Sequence, residues 1–344
     1  MQKILVTGGA GYIGSHTVVT LIEAGFKVVI LDNLSNSRIE VINGIENITG
    51  VRPVLSNIDI TDKKGINDFF ETDSNFDGVI HFAALKAVGE SVEKPLKYYS
   101  NNLDCLLNLL ECMDRKGLKN LVFSSSCTVY GQPDQLPVTE RSPFKKPESP
   151  YGNTKIISEQ IIEDVTKANG LNAISLRYFN PIGAHPSALI GELPLGAPNN
   201  LVPVVTQVAI GKRDKVTVFG DDYQTPDGSC IRDYLHVTDL ASAHVIALKR
   251  MLNGNQKSNY EAFNIGTGKG YSVLEVLNTF EKVSGVKLNY KIGPRRNGDI
   301  VKIYADTSYA NDVLGWKAKE GLESMVGSAW AWEQNILNLF PDMK

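Results

Sequence analysis

A tyrosine, a lysine and a serine are spaced so that together they could move a proton to or from an alcohol. Tyr151 and Lys155 are four residues apart on a predicted helix that Ser149-Pro150 begins, so both side chains share one helix face. An ammonium ion beside a phenol favours the phenolate, and we expect Lys155 to lower the pKa of Tyr151 from its usual ~10. Ser126 ends a predicted strand, where its hydroxyl could hold the reacting oxygen. The three residues predict acid–base chemistry on an alcohol–ketone pair.

Each of these signals is weak alone, because Tyr-x-x-x-Lys pairs are common on solvated helix faces and serine runs are common at strand ends. A cofactor motif strengthens them. Gly8, Gly11 and Gly14 form a GxxGxxG pattern between a predicted strand and a predicted helix. Glycines here allow a tight turn and the close approach of a pyrophosphate to a helix N-terminus. The alternative is an ordinary strand-to-helix turn.

Acidic residues follow the second and third predicted strands. Asp32 stands 18 residues after Gly14, where a carboxylate accepts hydrogen bonds from ribose hydroxyls and repels a 2′-phosphate, which favours NAD over NADP. Arg38 could bind a 2′-phosphate, so NADP stays an alternative cofactor, and Asp32 could instead be a turn residue. Asp59 suits the adenine edge or, equally, a turn or helix cap at Thr61-Asp62.

The elements that must position these residues alternate between strands and helices. Strands are predicted at 3–7, 26–31, 54–58, 78–82, 121–125 and 173–177, and helices at 12–24, 95–115 and 150–168. This alternation is typical of a doubly wound parallel α/β sheet of the Rossmann type. After residue 180 the chain becomes rich in proline and then mixes helices (200–211, 238–252, 272–284, 321–339) with short strands. We expect a dinucleotide-binding domain at 1–180, rejoined by 237–266, and a smaller interleaved C-terminal α/β domain within 181–344.

Composition excludes several classes of protein. The 344 residues carry 35 Lys and Arg against 38 Asp and Glu, and this balance argues against nucleic acid as the main partner. No apolar run approaches the ~18 residues of a membrane span, and the N-terminus lacks a signal-peptide layout, so we expect a cytoplasmic location and no membrane partner. Four cysteines and five histidines show no metal-type spacing, so no metal site is expected and the thiols are expected to be reduced.

A family resemblance joins these signals. The chain resembles the extended short-chain dehydrogenase/reductases along essentially its whole length and, within them, the UDP-glucose 4-epimerases. The matching segments are TGGAGYIGSH, LDNLSNS, HFAALKAVGES, YYSNN, SSSCTVYG, SPYGNTK, LRYFNPIGAHPS, PNNLVP, RDYLHVTDLA, FNIGTG and RRNGDI. Their order and spacing are far more specific than any single motif.

The resemblance implies an activity and a set of contacts. The activity is reversible epimerisation at C4 of UDP-glucose and UDP-galactose through a 4-keto sugar, with tightly bound NAD as a transient hydride acceptor. Ser126, Tyr151 and Lys155 would be catalytic. The implied NAD contacts are Gly8, Gly11, Tyr12, Ile13, Gly14, Asp32, Asn33, Asn36, Ser37, Asp59, Ile60, Phe82, Ala83, Ala84, Lys86, Asn101, Ser126, Tyr151, Lys155 and Phe179. The implied UDP-sugar contacts, which make 181–344 the UDP-sugar domain, are Lys86, Ser126, Tyr151, Asn180, Asn200, Leu201, Val218, Phe219, Arg232, Arg296, Asp299 and Ile303.

Several alternatives stay open. Arg232 could pair structurally with Asp233, and Arg295-Arg296 could be a solvated loop. A sugar-nucleotide 4,6-dehydratase would need an acidic pair directly after Ser126, where this chain has Cys127-Thr128. A decarboxylase, or a reductase with exchanging NADPH, is disfavoured by Asp32. A non-catalytic dinucleotide sensor would have no need of the catalytic trio.

Two further expectations concern substrate range and assembly. Ile303 takes a position that, in the family, lies beside the C2 substituent of the sugar. Isoleucine is larger than the cysteine or serine of broader enzymes of the family and smaller than the tyrosine of restricted ones. We therefore expect a strict or strong preference for UDP-glucose and UDP-galactose, with some activity on N-acetylated sugars. The helices at 95–115 and 150–168 carry more apolar residues than one sheet face needs. The resemblance implies a homodimer built through them as a four-helix bundle, although all of these residues could instead pack on the sheet.

Overall fold

The computed structural model describes residues 1–198, 200–296 and 299–341. Thirteen strands lie in these ranges: β1 (Lys3–Thr7), β2 (Lys27–Leu31), β3 (Val54–Ser56), β4 (Gly78–His81), β5 (Asn120–Ser126), β6 (Asn172–Tyr178), β7 (Asn180–Ile182), β8 (Val216–Phe219), β9 (Ile231–His236), β10 (Tyr260–Ile265), β11 (Gly270–Ser272), β12 (Tyr290–Gly293) and β13 (Lys302–Ile303). The α-helices there are α1 (Tyr12–Glu23), α2 (Glu40–Thr49), α3 (Lys63–Thr72), α4 (Val88–Glu93), α5 (Pro95–Arg115), α6 (Pro150–Asn169), α7 (Leu201–Ala209), α8 (Val237–Leu252), α9 (Val273–Ser284) and α10 (Leu322–Leu339).

Seven strands form one parallel sheet in the order β10-β6-β5-β4-β1-β2-β3. The chain reverses its direction of winding between β1 and β4, and ligands bind open α/β sheets at the carboxyl edge of such a point. This order confirms the predicted Rossmann-type α/β fold. The catalytic candidates at the ends of β5 and α6 therefore belong to the same edge as the glycine-rich turn after β1.

Both faces of the sheet are covered by helices. On β1, Ile4 and Val6 belong to a buried cluster that includes side chains of α1, α2 and α8, whereas Leu5 belongs to the opposite cluster with α3, α5 and α6. The near-continuous apolar strands follow from burial on two sides. The sequence analysis missed α2, α3 and α4, since all three are short and contain a glycine that weakens the helical pattern.

A smaller lobe packs beside the carboxyl edge. It contains a sheet in which β9 pairs with β7, β11 and β13, a two-stranded sheet of β8 and β12, and a core shared with α7, α9 and α10. After β9 the chain returns to the large sheet, because α8 packs on α1 and β10 pairs with β6. Within the described residues, no helix is both long and apolar enough to cross a membrane.

Candidate active site

The turn between β1 and α1 is so tightly packed that Gly8 and Gly14 have no room for a Cβ atom. Gly8 has a φ of +69°, and a Cβ atom added to it would lie 2.8 Å from the Ala83 nitrogen. A Cβ atom on Gly14 would lie 2.2 Å from the Gly8 carbonyl oxygen. Gly11, at the N-cap of α1, has no side chain to accept from the amides of Ile13 and Gly14 in the first turn. First-turn amides without a side-chain cap and the positive end of the helix fit a pyrophosphate.

Asp32 follows β2 beside that turn. Its carboxylate accepts from the backbone N–H groups of Ala10 and Leu34, at 3.0 and 2.9 Å, and from the Ser37 hydroxyl at 3.3 Å. Burial raises the pKa of Asp32, and these hydrogen bonds oppose the rise. The residue thus fixes the glycine-rich turn, and further lone pairs on its oxygens suit ribose hydroxyls.

The neighbours of Asp32 give the other side of the adenosine region. Arg38 pairs with Glu40 at 3.3 Å and lies over the Phe340 ring at 5.6 Å. Arg38 therefore already has a carboxylate and a ring as partners within the chain, whereas Asp32 lies directly at the glycine-rich turn. The nearby NAD candidates are Asn36, which is exposed, and Ser37, which is half-buried.

Asp59 follows β3, next to Asp32 in the sheet. It accepts from Asn33 Nδ2 at 2.9 Å and from Thr61 N and Oγ1 at 2.8 and 2.6 Å. Burial opposes ionisation of this carboxyl group, but the hydrogen bonds from Thr61 and Asn33 hold its pKa below the usual value. Asp59 therefore acts as a turn residue in the chain, and Asp62 is the N-cap residue of α3. The adjacent Ile60 is buried.

The ends of β4 and β6 form the central wall of the cleft. The Phe82 ring lies 4.6 Å from that of His244, and Ala83 N lies 3.4 Å from Thr7 Oγ1. Phe179 is 4% exposed directly after β6. Other NAD candidates here are the half-buried Ala84, the exposed Lys86 and, on α5, Asn101, which donates to Asn102 at 3.1 Å.

The catalytic candidates meet at the carboxyl end of β5. Ser149 caps α6 by accepting from Gly152 N at 3.2 Å, and this start places Tyr151 and Lys155 against the strand. Lys155 donates to the Ser124 carbonyl oxygen at 2.7 Å, and its Nζ atom lies 5.9 Å from the centre of the Tyr151 ring. The Ser126 hydroxyl accepts from Thr128 N at 3.2 Å and lies near enough to Tyr151 to lower the pKa of the phenol.

The electrostatics of Tyr151 differ from the expectation. Burial raises its pKa well above 10, Tyr178 raises it further, and the nearby Ser126 hydroxyl opposes the rise. Burial also lowers the pKa of Lys155 to about 8. The prediction that Lys155 lowers the pKa of Tyr151 is wrong for the protein chain alone. The Lys155 ammonium group is bound to a carbonyl oxygen, and the effect of burial on Tyr151 outweighs the attraction of that ammonium group. The i, i+4 spacing could not reveal that both side chains are buried.

The sequence analysis missed a buried ion pair next to this trio. Glu159 and Arg177 are 2% and 5% exposed, and Arg177 donates to both carboxylate oxygens at 2.7–3.1 Å. A usable signal was present, since Glu159 stands four residues beyond Lys155 on the same helix face. Arg177, the partner of Glu159 on β6, gave no such signal in the sequence.

The smaller lobe groups cationic and aromatic side chains around Asp299. Arg296 donates to both oxygens of Asp299 at 2.8 and 3.2 Å, and its guanidinium lies 5.3 Å from the Phe219 ring centre. Arg232 lies 3.7 Å from Asp299.

The alternative pairing of Arg232 with Asp233 does not hold. The Asp233 carboxylate instead accepts from the N–H groups of Thr267, Gly268 and Ala305 and from the Thr267 hydroxyl. Arg295 pairs with Asp222 at 2.7 Å.

The remaining UDP-sugar candidates line the same lobe. Asn180 begins β7, Asn200 and Leu201 begin α7, and Val218 is buried in β8.

Ile303 of β13 is 2% exposed, and its backbone pairs with that of Arg232 in β9. Its side chain joins an apolar cluster with Cys127 and Phe179. Burial raises the pKa of Cys127 to about 12, so this thiol behaves as an inert core residue.

Glu192 is a second polar residue that the sequence analysis missed. Its Oε1 atom accepts from Lys86 Nζ at 3.1 Å and from Asn200 Nδ2 at 2.7 Å. Tyr12 donates to the Gly183 carbonyl oxygen at 2.6 Å nearby. These contacts join the two lobes between the candidate residues for both ligands.

Comparisons with known proteins agree with this geometry. Residues 4–266 match the model of the NAD dependent epimerase/dehydratase family. The chain is 51% identical over 338 residues to UDP-glucose 4-epimerase of Bacillus subtilis, covering 98% of each chain. It is similar, with a TM-score of 0.94 and 46% identity over 98% of this chain and 100% of the other, to UDP-glucose 4-epimerase from Bifidobacterium longum in complex with NAD+ and UDP. The Stenotrophomonas maltophila enzyme with bound NAD and formylated UDP-arabinopyranose gives the same TM-score and identity over 98% and 99% of the two chains.

Proposed function

The chain belongs to the NAD dependent epimerase/dehydratase family, and we propose that it is an isomerase that interconverts UDP-glucose and UDP-galactose by inverting C4 of the hexose through a 4-keto sugar. The observation that carries this proposal is the meeting of Ser126, Tyr151 and Lys155 at the sheet edge that also holds the glycine-rich turn and Asp32.

The glycine-rich turn and Asp32 hold the cofactor, with the other NAD candidates named above continuing the site along the strand ends. When bound, NAD would supply reversible hydride transfer at C4 and a positive charge in the site. Lys155 would bind the nicotinamide ribose. Tyr151 would ionise in its buried site with the help of that positive charge.

Tyr151 is the acid–base residue. Its phenolate removes the proton from the C4 hydroxyl and gives it back once the sugar has turned over. Ser126 binds the same oxygen from the end of β5, and Lys155 holds α6 against β5 through Ser124. The burial of Tyr151 excludes water from this proton transfer.

The uridine diphosphate is held by the smaller lobe, within 181–344. Arg232 and Arg296 offer planar guanidinium groups suited to phosphate oxygens, and Phe219 provides an exposed ring. Anchoring the nucleotide leaves the sugar free to turn over about its link to the diphosphate. Ile303 limits the space at C2, which favours hexoses without an N-acetyl group.

We assign the exposed apolar residues of α5 to a homodimer. Leu96 is 82% and Leu107 42% exposed, whereas Leu106, Leu110 and Met113 are buried against the sheet. The exposed pair would form a four-helix bundle with α5 and α6 of a second copy. Sedimentation velocity should give a dimer for the wild type and a monomer for Leu107→Lys.

The four cysteines are buried free thiols, as expected in a reducing compartment, and we place the protein in the cytoplasm with its nucleotide substrates.

Proton NMR of the purified protein with UDP-galactose and no added cofactor tests the proposed reaction. The appearance of UDP-glucose anomeric signals would establish epimerisation and retained NAD together. Unchanged UDP-galactose after NAD is supplied would contradict the substrate assignment.

A further inference from the structure

Three residues of α6 contact three consecutive residues of β5. Tyr151, Lys155 and Glu159 follow one another at four-residue intervals, so they share one helix face. Tyr151 lies beside Ser126, which lowers the pKa of the phenol, Lys155 donates to the Ser124 carbonyl oxygen, and Glu159 accepts from the Ser125 hydroxyl. The proposed mechanism uses the first two contacts and leaves the third without a role.

Glu159 is itself held in place by the strands beyond. Arg177, which is opposite Ser125 in the β5–β6 register, donates to both of its oxygens at 2.7–3.1 Å. Tyr260 of β10 donates at 2.8 Å. A carboxylate with this many fixed donors cannot shift along the strand, and so it defines where α6 sits.

The charges around Lys155 give Glu159 a second effect. Lys155 faces Tyr151 and Glu159 on its own helix, Cys105 on α5, His81 on β4 and, through Glu159, Arg177 on β6. At pH 7 Cys105 is a thiol, since burial raises its pKa to about 12, and His81 is neutral, since burial lowers its pKa to about 3. Glu159 is therefore the formal negative charge in this set.

We propose that Glu159 is a positioning residue, which sets the register of α6 on β5 through Ser125 and Arg177 and whose charge keeps Lys155 an ammonium ion in a buried site. The proposal rests on the proposed function, because Lys155 is a catalytic residue there. Burial has already lowered the pKa of Lys155 to about 8, and Glu159 opposes that effect. Without the carboxylate, Lys155 would lose its proton at a lower pH.

The test compares variants that break the same ion pair from either side. In Glu159→Gln, the alkaline limb of kcat/KM for UDP-galactose should move down by about one pH unit, a usual effect of a neighbouring charge. Arg177→Met leaves the carboxylate in place and should not move the limb down. A purely structural ion pair would give the same result for both variants.

A second, partly buried arginine–glutamate pair of the large lobe provides a control. Arg250 of α8 donates to both oxygens of Glu261 of β10 at 2.7 and 2.9 Å, with side-chain exposures of 11% and 3%, and neither residue is among the groups that shift the pKa of Lys155. Glu261→Gln should destabilise the protein comparably and leave the limb unmoved.

Two additions keep the test decisive. If Glu159→Gln does not fold, the double variant Glu159→Gln/Arg177→Met has no unpaired buried charge. The alkaline limb of its kcat/KM profile should lie at a lower pH than that of the wild type.

NMR titration of isotope-labelled lysine measures the Lys155 pKa without turnover, with the signal assigned by its loss in Lys155→Met. A wild type that fails to convert UDP-galactose would thus overturn the proposed function alone. A Lys155 pKa that is the same in wild type and Glu159 variants would overturn this inference.

Discussion

Substitution of Gly14 by alanine should damage the cofactor site far more than its size suggests. A Cβ atom there would lie 2.2 Å from the Gly8 carbonyl oxygen and 2.8 Å from the Gly9 Cα, both backbone atoms. Ordinary carbon–oxygen contact begins near 3.4 Å, so the strand-to-helix turn must open by about 1 Å. Overpacking of this kind costs up to about 3 kcal/mol, and the better helix propensity of alanine returns about 1 kcal/mol. We therefore expect a net loss of ~2 kcal/mol.

The same change at Gly89 is the matched control. Gly89 also lies in a helix, and a Cβ atom there meets nothing within 4 Å. Gly89→Ala should gain up to about 1 kcal/mol, so one chemical substitution has opposite signs at the two sites. With an m value near ~3 kcal/mol/M, Gly14→Ala should lower the urea midpoint by ~0.7 M at fixed NAD concentration.

The functional readout is the NAD that remains bound after purification. Opening the turn by about 1 Å would displace the first-turn amides that fit the pyrophosphate, so Gly14→Ala should retain little NAD. If Gly14→Ala were as stable as Gly89→Ala and kept its full complement of NAD, the close approach inferred for this turn would be wrong.

Three other predictions address the reaction, the pH dependence and the substrate range. Tyr151→Phe removes the acid–base group and should lower the rate of UDP-galactose conversion by about 10²–10⁴-fold, with an unchanged circular dichroism spectrum; near-normal turnover would exclude the role given to Tyr151. The pKa of His81 is about 3 in the folded protein and ~6.5 when unfolded, so only the unfolded chain gains the proton between these values and stability falls as the pH drops through this window. His81 alone should cost ~2 kcal/mol between pH 7 and pH 5, and urea midpoints of His81→Gln should show a correspondingly weaker pH dependence. Ile303→Ala should raise the ratio of kcat/KM for UDP-N-acetylglucosamine to that for UDP-glucose by at least about tenfold, and an unchanged ratio would remove Ile303 from the C2 pocket.

Local patterns were enough to predict the fold and the tight glycine-rich turn after β1. The turn after β1 depends on three glycines within seven residues, and the alternation of strands and helices gave the doubly wound sheet that the structure confirms. The spacing of Tyr151 and Lys155 predicted their shared helix face for the same reason. These features are set by residues close together in the chain.

What the sequence did not reveal depends on distant partners and on burial. Glu192 contacts Lys86, which is 106 residues away, and Glu159 contacts Arg177 across two elements. The pKa of Tyr151 was predicted in the wrong direction because burial, which comes from the packing of several elements, outweighs the lysine beside it. The grouping of Arg232 with Asp299 likewise requires the pairing of β9 and β13.

The path of the chain between the two sheets has a consequence for how proteins of this architecture can be recombined. The chain leaves the large sheet after β6, re-enters it with α8 and β10, and leaves it again before β11. The smaller lobe is therefore encoded in two separate stretches, and no single splice point transfers it alone. A crossover before β7 would carry α8 and β10 of the large sheet along with the lobe, whereas a crossover between β9 and β11 would combine β9 of one parent with β11 and β13 of the other. Single substitutions, such as the Ile303→Ala proposed above, are therefore a simpler way to test for a changed substrate range than exchange of modules.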